Sequence, residues 1–387
     1  MESKIATAVS QIPLSGIREM WQRAAKFESF ISLGIGEPDF NTPQEISNQA
    51  LQDALRGATH YTPSQGDPEL LKEIQKYLRE RVGEDFSTGQ IVVTTGGVGG
   101  LTSFFRTVLN PGDEVLLPEP YFIPYRHHIE WVGGNAVHVQ TRFENGFVPT
   151  PEDIEAAITP RCKVLLLNSP NNPTGAVIPA ETLDEIARIV KKRDLLVLSD
   201  EVYERLLFDG RTHESIWTRP GMKERTVVVH SFSKSFAMTG WRIGYAFGPE
   251  WLIGSMIKVV TSTTSCAPSV SQRAAVAALR LNPEVIDEMT KEFQRRRDMA
   301  YEVLKQLPGV RVHQPAGSFY IFPDISQITG DSRQFAFDLL EKEQIVVVPG
   351  ETFGPSGQGC LRMALTVNQD ILQQALDSIR RFIKSIS

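Results

Sequence analysis

Ser231-Phe232-Ser233-Lys234-Ser235-Phe236-Ala237-Met238-Thr239-Gly240-Trp241-Arg242-Ile243-Gly244 is the stretch around which the rest of the chain is organised. The apolar run 226–229 leads into it and reads as a buried strand, so Lys234 falls just past a strand end among small residues. A lysine so placed can form a Schiff base with an aldehyde. Ser231, Ser233 and Arg242 offer hydroxyl donors and a guanidinium fork that match the oxygens of a phosphate. An aldehyde and a phosphate on one small molecule describe pyridoxal 5'-phosphate (PLP). A lysine in a serine-rich loop, taken alone, is more often a solvated corner; the full spacing S-x-S-K-x-x-x-x-x-G-x-R-x-G argues against that plainer reading.

Upstream, strand and helix alternate. Short apolar runs at 91–93, 114–117, 164–167, 195–198 and 227–229 read as strands, with one more at 243–247 that could run antiparallel at a join. Helical spacing covers 43–56, 69–81, 101–109 and 181–192. Continuous apolar strands are buried on both faces, which predicts a mainly parallel sheet covered by helices. In such sheets a ligand lies beyond the carboxyl ends of the strands, and Asn172, Asp200, Ser231 and Lys234 all follow strand ends. The run Gly96-Gly97-Val98-Gly99-Gly100 reads as a strand-to-helix turn able to present N–H groups to an anion, with a close-packed turn equally open. It is neither a P-loop nor a G-x-G-x-x-G dinucleotide turn.

The two chain ends read differently. An arm and a short helix after Ser15 precede Gly34-Ile35-Gly36-Glu37-Pro38-Asp39-Phe40, where glycines and proline break regular structure; Tyr61 stands in a turn-rich loop. Beyond residue 280 a helix over 283–307, strands over 310–313, 318–322, 345–348 and 360–365, and helices over 332–342 and 370–386 suggest a smaller α/β layer. Arg295-Arg296-Arg297 reads as a solvated helix face. Arg362 lies inside an apolar strand, and a buried arginine is costly unless an anion meets it; a protein carboxylate and a ligand carboxylate both qualify.

The 387 residues exceed one simple core, so two domains are expected. A hydrophobic share of 41% and a net charge of −6 fit an ordinary globular chain and argue against nucleic acid or an anionic membrane as partner. Cys162, Cys266 and Cys360 form no C-x-x-C pair, and no H-E-x-x-H occurs, so no metal site is expected. No signal-peptide core or membrane-length apolar run is visible, which makes the cytoplasm the simplest compartment.

Together, the segment 34–40, Tyr61, Asn171-Asn172-Pro173-Thr174-Gly175, Ser199-Asp200-Glu201-Val202-Tyr203, the Lys234 stretch and Leu361-Arg362 resemble the class I/II aminotransferases, which are fold-type I PLP enzymes. The likeness spans nearly the whole chain and is greatest to the prokaryotic-type aspartate and aromatic subgroup. It implies a large PLP-binding domain over 43–282 with a mostly parallel, seven-stranded-type sheet. It also implies a small domain built from 1–42, which includes the arm, and 283–387. By the resemblance Lys234 forms the Schiff base and moves the proton, Asp200 pairs with the pyridine nitrogen, Tyr203 and Asn172 bond the ring's 3'-oxygen, and Phe122 stacks on the ring. Ser231, Ser233, Arg242 and the backbone at Gly97 and Val98 take the phosphate, and Tyr61 reaches the phosphate of a neighbouring subunit, implying a homodimer with shared sites. Arg362 clamps the substrate α-carboxylate, helped by Asn172 and the Gly36 backbone.

Acid-specific members tend to carry a lysine where Val98 stands, so an apolar or aromatic amino donor is at least as plausible as aspartate, with 2-oxoglutarate as acceptor. A C–S β-lyase, a kynurenine-type transaminase or an aminocyclopropane-carboxylate synthase could use the same scaffold. A non-catalytic regulator would need an N-terminal DNA-binding module, for which no room remains before residue 31.

Overall fold

In the computed structural model, which describes residues 4–10 and 16–386, the expected strands pair in a defined order. The chain forms β1 (Ile31–Ser32), β2 (Ile91–Thr94), β3 (Glu114–Pro118), β4 (Asn135–Val139), β5 (Cys162–Asn168), β6 (Leu196–Asp200), β7 (Thr226–Ser231) and β8 (Gly244–Phe247). These are followed by β9 (Tyr320–Ile321), β10 (Ile345–Val346), β11 (Val348–Pro349) and β12 (Leu361–Ala364). Seven of them make one sheet in the order β2-β8-β7-β6-β5-β3-β4. Only β8 runs against its neighbours, pairing antiparallel with both β2 and β7. It is the antiparallel join expected at 243–247.

The central strands are apolar along their middles because both faces are covered. Val227, Val228 and Val229 of β7 are wholly buried, and β6 and β5 run beside it in parallel register. The edge strand β4 has no counterpart in the sequence reading. Asn135 and His138 are exposed there, so the run lacks the apolar continuity that marked the others.

The two chain ends meet. β1 pairs in parallel with β10, and Met20, Ala24 and Leu33 pack in one apolar cluster with Leu339, Val346, Met363 and Leu376. The start signal at Ser15 lies outside the described residues; the helix that follows spans Gly16–Ala24. The strand expected over 310–313 is reduced to one bridge between Arg311 and Asp324, and the run 345–348 is divided into β10 and β11.

The long helix Pro283–Leu304 joins both cores: Ile286, Met289 and Phe293 pack in the cluster under the large sheet, Ala300 and Leu304 in the other. This overturns the solvated reading of two of its arginines. Arg296 is buried and pairs with Asp39 (2.7 Å) and Glu292 (3.0 Å). Arg297 is buried and forks onto Asp209 at 2.7 and 2.9 Å. A helix packed on two sides turns consecutive residues inward, and two of the compensating carboxylates, Asp39 and Asp209, come from remote segments that no local pattern announces. Among the described residues, no helix is long and apolar enough to cross a membrane.

Candidate active site

Strand ends build the site. β7 ends at Ser231, whose hydroxyl accepts the Ser233 N–H (3.2 Å) and so caps the one-turn helix Phe232–Ser235. That turn projects Lys234 into a cavity of about 390 Å³ at the carboxyl edge of the sheet. β6 delivers Asp200 to the same edge and β5 delivers Asn168. Asn168 then ties its neighbours together: its amide donates to the Asp200 carbonyl (3.0 Å), and its side-chain oxygen accepts the Asn172 N–H (2.9 Å).

The glycine run after β2 is not a turn preceding a helix, as the sequence suggested, but the first turn of the helix Gly96–Val108 itself. Gly97 and Val98 therefore carry free N–H groups at the positive end of a helix dipole, facing the cavity. Opposite them stands Arg242, a non-glycine residue at φ 53°. A Cβ on Gly96 would come within 2.7 Å of its guanidinium, so the glycine lets the cation lie directly against the helix start. N–H groups, Ser231, Ser233 and Arg242 form one anion cradle.

Asp200 lies deeper. The buried Tyr125 hydroxyl donates to its Oδ2 (2.6 Å) and the Val202 N–H to its Oδ1 (3.2 Å), and no cationic side chain of the described residues forms an ion pair with it. Desolvation pushes its pKa up to about 6, against the pull of those hydrogen bonds. A cationic ring nitrogen would relieve that burial cost.

Lys234 is also enclosed. Burial lowers its amine to about 8 despite the opposing field of Glu37, and its Nζ donates to the Gly36 carbonyl (2.5 Å). An amine with that pKa is neutral in a far larger fraction at physiological pH than an ordinary lysine, which a nucleophile and proton carrier requires. The cradle, the unpaired buried carboxylate and the depressed lysine match the phosphate, the pyridine nitrogen and the aldehyde of PLP, so the residues fit that group.

Arg362 closes the other end. It is 2% exposed, yet no carboxylate of the described residues pairs with it. Its guanidinium donates to Asn172 Oδ1 (3.2 Å) and the Gly34 carbonyl (2.5 Å), lies between the rings of Tyr320 and Phe353 at 4.8 and 4.7 Å, and leaves Nε without a partner. Of the two anions the sequence left open, no carboxylate of the described residues is the one supplied.

Gly36, Gly97, Val98, Phe122, Asn172, Asp200, Tyr203, Ser231, Ser233, Lys234, Arg242 and Arg362 all line this cavity. Tyr61 does not; it is 90% exposed on the outer surface. Tyr125, Asn168 and Tyr320 also line it and were not singled out from the sequence. Tyr125 offered a signal, a tyrosine one helical turn after Phe122. Tyr320 offered less, a single hydroxyl in an apolar strand.

This arrangement is that of a PLP-dependent aminotransferase. Residues 28–379 match the family of class I and II aminotransferases, and the chain belongs to it. The chain is 37% identical to an aspartate aminotransferase of Pyrococcus horikoshii, over 98% of this chain and 97% of that one. It is likewise 37% identical to aromatic-amino-acid aminotransferase 2 of Thermococcus litoralis, over 96% of both. The crystal structure of the aspartate aminotransferase of Rhizobium meliloti superposes with a TM-score of 0.95 at 35% identity, over 98% of this chain and 99% of that one.

Proposed function

We propose that this transaminase moves an amino group from an apolar or aromatic L-amino acid to a 2-oxo acid, with 2-oxoglutarate as the acceptor and Lys234 as the residue that bonds the cofactor aldehyde. The observation that carries this reading is the buried, carboxylate-free Arg362 facing the depressed Lys234 amine across one cavity. PLP supplies an electron sink for the bond broken at the substrate Cα. Arg362 holds the α-carboxylate through its fork, with Asn172 beside it. Lys234 Nζ takes the Cα proton and returns it one atom away. Asp200 keeps the ring nitrogen cationic, Tyr203 and Asn172 hold the ring's 3'-oxygen, Phe122 covers the ring face, and the cradle of Gly97, Val98, Ser231, Ser233 and Arg242 anchors the phosphate.

The outer wall supports this donor class. Ile17, Ile35, Val98 and Leu101 face the cavity, and the cations among its lining are Lys234, Arg242 and Arg362, each already given a task. Within this chain's own lining a second carboxylate on the substrate finds no partner, which favours an apolar side chain. A homodimer is supported by the exposed apolar residues Leu51, Leu55 and Tyr61, which a second copy would cover. The pairing of β1 with β10 supports grouping 1–42 with 283–387 around the large domain 43–282. A reducing cytoplasm suits the unpaired Cys162, Cys266 and Cys360.

The test is an absorbance spectrum of the PLP-loaded protein before and after single amino acids. Phenylalanine and tyrosine are expected to bleach the visible band faster than aspartate, with 2-oxoglutarate restoring it. Ammonia release without need of a 2-oxo acid would turn the assignment to a lyase.

A further inference from the structure

Tyr320 lines this cavity and touches both ends of the site. It lies on β9, where it pairs with Ala364 of β12, the strand that carries Arg362. Its ring lies 4.8 Å from the Arg362 guanidinium carbon, which the Phe353 ring flanks at 4.7 Å. Its hydroxyl lies 3.2 Å from the hydroxyl of Tyr203, in the turn that follows β6. Space for that hydroxyl comes from Gly36: a Cβ there would overlap it. The Gly36 carbonyl is the same one that receives the Lys234 amine.

We propose that Tyr320 is a positioning residue of the reaction, its hydroxyl orienting that of Tyr203 and its ring seating Arg362. The inference rests on the roles given to Tyr203 and Arg362 above. Two hydroxyls carry two protons but share one hydrogen bond, and neither has another hydrogen-bonding side chain or carbonyl within the described residues. With Tyr320 as donor, Tyr203 accepts on its oxygen and keeps its own proton for an acceptor inside the cavity. Hydrogen bonds in such a chain polarise one another, so the Tyr203 proton becomes the better donor. Burial raises the pKa of both phenols, Tyr203 the more strongly, which keeps both protons in place at working pH. The guanidinium over the Tyr320 ring is a desolvated cation–π contact, a geometry that fixes a flexible arginine without neutralising it. One side chain thus sets the direction of the phenol facing the cofactor and the seat of the cation facing the carboxylate.

Two variants separate the hydroxyl from the ring. Tyr320→Phe keeps the ring. A hydrogen bond to an oxygen stabilises its unprotonated form, so weakening the one from Tyr203 raises the pH midpoint at which the PLP-loaded protein's visible band titrates. The kcat of this variant is expected to fall about tenfold with KM nearly unchanged. Tyr320→Leu also removes the ring and is expected to raise KM about tenfold for phenylalanine and alanine alike, since both share the α-carboxylate. A wild-type midpoint and kcat in Tyr320→Phe would overturn the orienting role. A KM rise confined to one side-chain class in Tyr320→Leu would overturn the seating role. Thermal melts are to check that both variants fold. If the wild type shows no visible band with PLP, the reading beneath this inference fails too; if it titrates normally and the variants match it, this inference alone fails.

Discussion

Lys234 and Asp200 show how burial prepares opposite chemistries at one sheet edge. Desolvation disfavours charge on both, lowering the lysine to about 8 and raising the aspartate to about 6. For Lys234 the consequence is catalytic. Lys234→Ala is expected to retain PLP in the cradle without the covalent bond, to lose the visible band, and to turn over at least ~10³-fold more slowly in a coupled transaminase assay; ordinary turnover would remove Lys234 from its role. For Asp200 the consequence is a stability cost. Its folded pKa is raised, so the folded state holds the proton more tightly than the unfolded chain. The penalty is therefore full above pH about 6 and disappears as pH falls toward the ordinary value of 3.8. That rise corresponds to a penalty on the order of 3 kcal/mol. The cofactor-free Asp200→Asn variant is thus expected to melt higher than wild type at pH 7.5, with the gap closing near pH 4. Melting curves that keep one separation across that range would show that Asp200 does not carry the penalty.

At the scale of elements, the site depends on how closely the helix Gly96–Val108 approaches β7. Gly244 opens β8 and pairs with Ser231 on one side and Thr94 on the other. A Cβ on it would meet the His230 carbonyl at 2.7 Å, the Gly96 carbonyl carbon at 2.8 Å and the Gly97 nitrogen at 2.9 Å, all backbone atoms that cannot swing aside. Gly244→Ala should push the helix start away from Ser231 and open the anion cradle. PLP is expected to bind at least about tenfold more weakly by fluorescence titration, a cost of a little over 1 kcal/mol, while far-ultraviolet circular dichroism stays unchanged; unaltered affinity would mean that the helix start does not hold the phosphate.

Gly244 was legible as part of a motif, but its reason was not, because the clash involves three segments remote in sequence. The same limit explains the other differences. Apolar runs announced β5, β6 and β7, whereas β4, at the exposed edge, carries Asn135 and His138 and announced nothing. The pairs Arg296–Asp39 and Arg297–Asp209 join segments far apart in the chain, so a local reading assigned those arginines to water. Polar residues at strand ends, by contrast, were readable because strand direction alone brings them to one edge. Tyr125 became interpretable only once its hydroxyl was seen to meet Asp200.

For the whole molecule, the placement of Tyr61 is what separates a self-sufficient chain from a shared site. Tyr61 is 90% exposed, and Leu55 is 80% exposed nearby in the sequence. A chain that needed Tyr61 for its own cavity would have turned it inward; the surface position instead suits the site of a second copy related by a two-fold axis. Two impaired variants can test this arrangement together. In the proposed dimer Lys234→Ala lacks the reacting amine in both sites, and Tyr61→Ala is expected to lack the phosphate contact in both sites and to turn over slowly at limiting PLP. When the two are mixed, dissociated and reassembled, a mixed dimer has one site with both lesions and one with neither. The intact site takes Lys234 from one chain and Tyr61 from the other. Random reassembly should therefore restore about a quarter of wild-type activity at limiting PLP, with sedimentation showing a dimer throughout. If Tyr61 acted within its own chain, every site would retain one lesion and the mixture would show no more than the average of its parents.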